Sequence, residues 1–134
     1  MSLNITKYID QVPSKAILKM DNWYIWGGSM VRTDDGMCHM FFSRWPKNVG
    51  FKGWLTHSEI AYAVSDDPLG PFEVQGTILG KRKGDYWDAD MVHNPNILKW
   101  DNKFYLYYTG NHGNGKFWVH RNNQRIGVAV ADNP

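Results

Sequence analysis

The chain has 134 residues, a formal net charge of +2 and 43% hydrophobic residues. This composition is typical of a folding chain, and the lack of a dense basic patch argues against a nucleic-acid partner. The single cysteine, Cys38, excludes an internal disulfide and a metal site built from several thiolates. No apolar run approaches the ~18 residues of a membrane span. The sequence shows no signal peptide and leaves the compartment open, including a secreted or periplasmic location for a longer parent protein.

Aromatic residues make up 15% of the sequence and alternate with Gly, Pro, Asn and Asp, a pattern that predicts strands and turns. In chain order, strands are predicted over residues 29–32, 37–43, 59–65, 72–79, 96–99, 103–109 and 125–131. Asp34-Asp35-Gly36 and Asp101-Asn102 predict hairpin turns with positive φ. No substantial helix is predicted, and residues 8–20 carry no clear pattern. Asn4 begins a glycosylation sequon, which is a weak signal in so short a motif.

The sequence repeats itself at a spacing of about 66 residues. Without a gap, residues 60–68 align with 126–134, and both segments end in Asp-x-Pro. Four antiparallel strands in sequence form one blade of a β-propeller. We therefore predict an all-β fold with one blade over about residues 22–80 and an incomplete second blade over about 86–134. Because a blade cannot bury both of its faces alone, we expect a fragment of a larger propeller, or a homo-oligomer formed through exposed blade faces.

Three segments, residues 60–72, 95–110 and 126–134, carry a family resemblance. They include the pattern Ala-x-Ser-Asp-x-Pro-x-Gly-Pro and a Tyr-Leu-Tyr-Tyr strand. In these residues the chain resembles the five-bladed β-propeller glycoside hydrolases of family 43 and their arabinanase, xylosidase and furanosidase relatives. The resemblance implies a carbohydrate substrate at the propeller axis and three catalytic carboxylates from different blades. This chain has no carboxylate at the first two implied positions, in 26–29 and beside Pro95, and the third would lie beyond Pro134.

Other residues near the expected axis are candidates for the chemistry instead. Asp21 precedes the first inner strand, and Asp88 and Asp90 precede the second. Two residues apart in an extended segment, Asp88 and Asp90 would face the same side and act as acid and base; turn-capping or solvated aspartates are the alternative. His93 and Asn94 precede a proline that favours an extended chain. Asn94 is a candidate ligand contact, and His93 is a candidate acid or base or a structural histidine.

Candidate sugar contacts come from aromatic residues and from the polar loop 111–124. They are Trp26, Trp45, Trp54, Trp87, His120 and Arg121. Glu59 and Arg125 occupy equivalent repeat positions and predict an ion pair between blades. The histidines match no zinc motif, so we predict no metal site and no cofactor, while an axial Ca²⁺ stays open.

Three functions are compatible with these patterns. The first is hydrolysis of glycosidic bonds in a plant or algal polysaccharide or oligosaccharide, by a parent protein of which this fragment alone is inactive. The second is a glycan-binding propeller that lacks the standard carboxylates and keeps its aromatic residues for stacking. The third is a structural propeller without a sugar site. The polar residues around Asp88 and His93 favour the enzyme.

Overall fold

A computed structural model describes residues 9–134 and contains two antiparallel sheets. The first sheet has the order β1 (Trp23–Arg32), β2 (Cys38–Pro46), β3 (Glu59–Ser65) and β4 (Glu73–Leu79). The second has the order β5 (Met91–Trp100), β6 (Lys103–Asn111) and β7 (Arg125–Ala131). Two short α-helices lie between strands, α1 (Trp54–His57) and α2 (Phe117–Asn122), and two 3-10 helices, Lys47–Val49 and Phe51–Gly53, precede α1. The sequon at Asn4 lies outside the described residues.

The predicted strands are confirmed, and β3 and β7 have the predicted bounds. The repeat is visible in the pairing of β2 with β3 and of β6 with β7. Cys38 pairs with Ser65 and Phe104 with Ala131, so both partners are displaced by 66 residues. The turn at Asp101-Asn102 has the expected positive φ, at 48° and 57°. β1 and β5 begin earlier than predicted, because each continues through a β-bulge.

The two sheets pack against each other through a shared hydrophobic core. Its buried members come from β2, β3, β5 and β6: Phe41, Ile60, Val92 and Leu106. Successive strand residues point to opposite faces of a sheet. Phe42 therefore lies in a second hydrophobic cluster, on the far face of the first sheet, and the segment before β1 covers that face. The edge strand β7 remains open, with Ile126 79% and Val130 52% exposed. Within residues 9–134, no helix has the length and apolar character needed to cross a membrane.

The predicted ion pair between Glu59 and Arg125 is wrong. Glu59 accepts a hydrogen bond of 2.8 Å from Arg44 Nε and another from the hydroxyl of Thr77. Arg44 stands directly opposite Glu59 in the pairing of β2 with β3. A partner within the same sheet is therefore closer than one on the neighbouring sheet, and Glu59 stabilises the first sheet from inside.

Candidate functional site

The inner strands of the two sheets each contain a bulge, and the two bulges face each other. In β1 the register shifts at Gly27, whose φ is 48°, and in β5 it shifts after His93, where Asn94 has a φ of 51°. A Cβ placed on Gly27 would lie 3.4 Å from Asn94 Oδ1. Bulges redirect side chains at the ends of pairing. Here the two bulges bring Trp26, His93 and Asn94 together between the inner strands β1 and β5.

Serine side chains of the first sheet anchor the bulge of β5. A bulge removes backbone N–H groups from the strand ladder, and these groups need other acceptors. The N–H of Asn94 donates to Ser43 Oγ at 2.8 Å, and the N–H of Ile97 donates to Ser29 Oγ at 3.0 Å. Ser43 is fully buried. The position of Asn94 is therefore held by a hydrogen bond between the sheets.

Aromatic rings surround the bulges and form a cleft of about 280 Å³, here named the aromatic cleft. Its lining consists of Trp26, Trp45, Phe51, Trp54, His93, Asn94 and Gln124. Trp45 is 1% exposed and forms the floor, whereas Trp26 at 53% and Phe51 at 54% form the rim. Phe51 packs edge-on against Trp45, with ring centroids 5.7 Å apart. The described residues supply no carboxylate, Lys or Arg to this lining.

His93 lies in the wall of the aromatic cleft and is only 5% exposed. Its ring centroid is 5.2 Å from that of Trp54 and 5.7 Å from that of Trp45. Its Nδ1 is 2.7 Å from Ser58 Oγ. Burial lowers the pKa of His93 to about 4, because an imidazolium loses its hydration there. His93 is therefore a neutral hydrogen-bonding group at neutral pH.

The indole Nε1 of Trp45 is a buried donor without a partner. Among the side chains of residues 9–134, it is the one fully buried nitrogen or oxygen that makes no hydrogen bond. Buried polar groups are nearly always paired, since an unpaired one costs about 1–3 kcal/mol. Trp45, in the floor of the aromatic cleft, therefore carries a buried donor for which the described residues supply no acceptor.

Asp88 is buried and both of its oxygens have partners. Oδ2 accepts a hydrogen bond of 2.8 Å from the hydroxyl of Tyr108, and Oδ1 accepts from the guanidinium of Arg82. Burial, together with the bond to Asp88, raises the pKa of Tyr108 to about 12. These contacts join the loop before β5 to the middle of the second sheet. They give Asp88 a structural role, and its predicted role in catalysis stays a prediction.

Asp90 holds the loop that follows β6. Its Oδ2 accepts from the N–H of Gly113 at 2.9 Å and from His112 Nδ1 at 3.0 Å. Burial opposes ionisation of Asp90, but these partners outweigh it and keep the pKa of the carboxyl below its ordinary value. Residues 87–90 form turns, and Asp88 and Asp90 have different partners. The predicted extended segment is wrong, because hydrogen bonds to Tyr108, His112 and Gly113 hold it in turns and take the two carboxylates to different partners.

The other predicted site residues lie outside the lining of the aromatic cleft. Asp21 is exposed in the turn before β1 and borders a separate cleft with Lys47. Trp87 stacks on Tyr108, with ring centroids 5.7 Å apart and an interplanar angle of 18°. A Cβ on Gly127 would come within 2.5 Å of Trp87, so this indole lies directly on the second sheet. Trp87 therefore covers a face of that sheet.

His120 and Arg121 lie on α2 and differ in exposure. His120 is buried; its Nε2 accepts from the N–H of Gly115 at 3.0 Å, and its Nδ1 lies 3.3 Å from Asn111 Oδ1. Both ring nitrogens are thus used to hold the loop. Arg121 is exposed, with its guanidinium carbon 5.1 Å from the centroid of the Trp118 ring. It lies on the same short helix but outside the aromatic cleft.

No family model matches the sequence, and no curated protein matches it. Solved structures do match. A family 117 glycoside hydrolase from the marine bacterium Zobellia galactanivorans has a TM-score of 0.63 at 19% identity, over 84% of this chain and 36% of that chain. A GH43_1 enzyme from Xanthomonas citri complexed with xylotriose has a TM-score of 0.60 at 20% identity, over 86% of this chain and 31% of that chain. The chain has the fold of part of a propeller glycoside hydrolase. It spans about a third of the length of these structures.

Within this propeller fold, the sequence analysis missed three residues of the candidate site and its support. Phe51 lines the aromatic cleft, Ser58 contacts His93, and Gly27 forms the bulge of β1. The pair Gly27-Gly28 inside a strand was a signal, since glycine there indicates a bulge. Phe51 lies in an irregular segment without a periodic pattern, whereas Gln124 of the lining belongs to the polar loop 111–124 that was predicted to supply sugar contacts. Residues 9–134 contain no group of His, Cys, Asp and Glu side chains placed to hold a metal ion.

Proposed function

We propose that this chain is part of a glycoside hydrolase and that the aromatic cleft binds one sugar ring of a plant or algal saccharide. The observation that carries the proposal is the set of rings from Trp26, Trp45, Phe51 and Trp54 around His93. Flat aromatic faces pack against the C–H faces of sugar rings, and a few polar groups then fix their orientation. The likeness to the xylotriose-bound enzyme supports testing a pentose-containing saccharide first.

The chemistry of the lining favours a neutral sugar. The side chains of Asn94 and Gln124 offer amide donors and acceptors to hydroxyl groups, and His93 is uncharged. A uronate or sulfate would lose hydration in the aromatic cleft without meeting a cationic side chain, which is costly. We therefore propose a saccharide without acidic substituents at this position.

Hydrolysis needs one carboxylic acid to protonate the leaving oxygen and one carboxylate to activate water or attack. The part of the aromatic cleft that residues 9–134 build contains neither. We assign sugar binding to this chain, and propose that hydrolysis belongs to the larger protein. The lack of carboxylates in the described lining also favours a second candidate, a non-catalytic glycan-binding propeller.

The first experiment is a titration of the chain with xylotriose, an arabinotriose and a galacturonic acid trimer. Binding is measured by tryptophan fluorescence and by calorimetry. We expect a Kd of roughly 1 mM for a neutral trimer and weaker binding of the uronate. Trp26→Ala removes a rim ring and should weaken the neutral trimer about tenfold. Trp100→Ala is the matched control, because Trp100 is 70% exposed at the other end of β5.

Equal losses in Trp26→Ala and Trp100→Ala, or no response to any neutral sugar, would contradict the proposed site. Release of reducing ends separates the two candidate functions only in the larger protein, because hydrolysis is assigned to it. Turnover of the bound trimer by the larger protein supports the hydrolase, whereas binding without turnover by the larger protein supports the glycan-binding alternative.

A further inference from the structure

Ser58 and His93 form a hydrogen-bonded pair behind the wall of the aromatic cleft. Ser58 Oγ lies 2.7 Å from His93 Nδ1, and the two residues are 1% and 5% exposed. The pair is also held through the backbone, since the carbonyl of Ser58 accepts from the N–H of Val92 at 3.2 Å. Ser58 follows α1 directly, so this short helix carries the hydroxyl to β5.

The direction of this hydrogen bond follows from counting donors. Within the described residues, the side chain of Ser58 has no second hydrogen-bond partner. If the hydroxyl accepted a hydrogen from Nδ1, its own hydrogen would be left unpaired in a buried place, at a cost of about 1–3 kcal/mol. If the hydroxyl of Ser58 donates to Nδ1 of His93, the hydroxyl hydrogen is paired. The ring hydrogen of His93 then lies on Nε2.

The second nitrogen of His93 opens into the aromatic cleft. Nε2 makes no hydrogen bond with residues 9–134, yet Trp45 Nε1 is the one fully buried side-chain nitrogen or oxygen without a partner in that part of the chain. Nε2 is therefore in contact with solvent, and the solvent beside His93 is that of the aromatic cleft.

We propose that Ser58 is a positioning residue that keeps the hydrogen of His93 on Nε2, so that a neutral N–H donor points into the aromatic cleft. Burial lowers the pKa of His93, which keeps the ring uncharged near neutral pH. In this arrangement His93 supplies a hydrogen bond to a ligand oxygen and no proton. That this oxygen belongs to a sugar rests on the proposed function.

The test reads the tautomer directly, in the full chain labelled with ¹⁵N at its histidines and without sugar. Long-range ¹H–¹⁵N spectra distinguish a protonated nitrogen from an unprotonated one, and His93→Gln assigns the signals. We expect the parent chain to show hydrogen on Nε2. Ser58→Ala should shift His93 toward a mixture of tautomers, and Ser58→Thr should restore the parent pattern because it keeps the hydroxyl.

His39 is an internal reference. Its Nδ1 lies 2.6 Å from the hydroxyl of Tyr62 and its Nε2 lies 3.0 Å from Thr33 Oγ1. These contacts do not involve Ser58, so the signals of His39 should stay in place in a folded Ser58→Ala chain. Movement of both histidines would indicate general unfolding, in which case Ser58→Cys, a smaller perturbation that keeps a weak donor, decides the tautomer.

Hydrogen on Nδ1 in the parent chain, or an unchanged pattern in folded Ser58→Ala, would overturn the role of Ser58. The proposed function is judged separately, by the sugar titration of the parent chain. Where a neutral sugar binds, we expect Ser58→Ala to weaken it about fivefold and Ser58→Thr to bind as the parent does. If the parent chain binds no sugar, the assigned tautomer of His93 and the role of Ser58 still hold, and only the proposal that the ligand is a sugar is contradicted.

Discussion

The burial of His93 predicts a specific loss of stability in mild acid. The unfolded chain takes up a proton on this histidine as the pH falls through 6.5, whereas burial lowers the pKa in the folded chain to about 4. Between these values the unfolded state binds more protons, so the free energy of unfolding decreases as the pH falls. Between pH 6.5 and about 4, each pH unit lowers the free energy of unfolding by about 1.4 kcal/mol. Lowering the pH from about 7.5 to about 5 should therefore remove about 2 kcal/mol through His93 alone.

The assay is urea unfolding of the parent chain and of His93→Gln at both pH values. Burial also lowers the pKa of His39, so the parent should lose more in total than His93 contributes. The difference in pH dependence between parent and variant isolates His93. His57→Gln, which replaces an exposed histidine by the same residue, is the matched control for the substitution. Equal pH dependence in the parent chain and His93→Gln would refute the reasoning, because it would mean that His93 titrates alike in both states.

Two further predictions concern the second sheet. Asp88→Asn should lower the free energy of unfolding by about 2 kcal/mol in the same urea experiment, because the buried carboxylate accepts hydrogen bonds on both oxygens. Asp34→Asn is the control: the side chain of Asp34 is 93% exposed, so this substitution should change the free energy of unfolding by less than about 0.5 kcal/mol. Because Val128 and Val130 are 47% and 52% exposed on the open strand β7, we expect the mass from light scattering to rise with concentration, and Val128→Lys to reduce that rise. Equal effects of Asp88→Asn and Asp34→Asn would contradict the predicted role of Asp88. A monomer at every concentration would contradict the predicted association through β7.

The strands were predictable because their signals are local. β3 and β7 begin at a charged residue and alternate apolar and small residues over their length, so their bounds follow from the sequence. The start of β1 was missed because the glycines at its bulge interrupt the strand pattern. The bulge at Gly27 is matched by a contact with Asn94, about 66 residues away in the repeat. A pairing between two sheets leaves no periodic trace in either segment.

The candidate site was predictable only in part, for a related reason. Trp26, His93 and Asn94 were identified from their position at the inner strands, which a repeat can reveal. The spacing of Asp88 and Asp90 was misleading, since residues two apart share a side only when the chain is extended. Hydrogen bonds from distant partners fold that segment into turns. Tertiary contacts decided the geometry there, and spacing alone could not reveal them.

Hydrogen-bond capacity separates the polar residues near the site more clearly than their density in the sequence does. Asp88 and His120 are both buried; Asp88 has a partner on each oxygen and His120 has one on each nitrogen, so both side chains are already engaged in structural hydrogen bonds. His93 differs, because Ser58 uses one of its nitrogens and the other is open to the aromatic cleft. A group that recognises a sugar needs an open donor or acceptor on a fixed ring. By that criterion we propose His93, neutral and hydrogen-bonded to Ser58, as the polar group of the aromatic cleft that contacts a ligand.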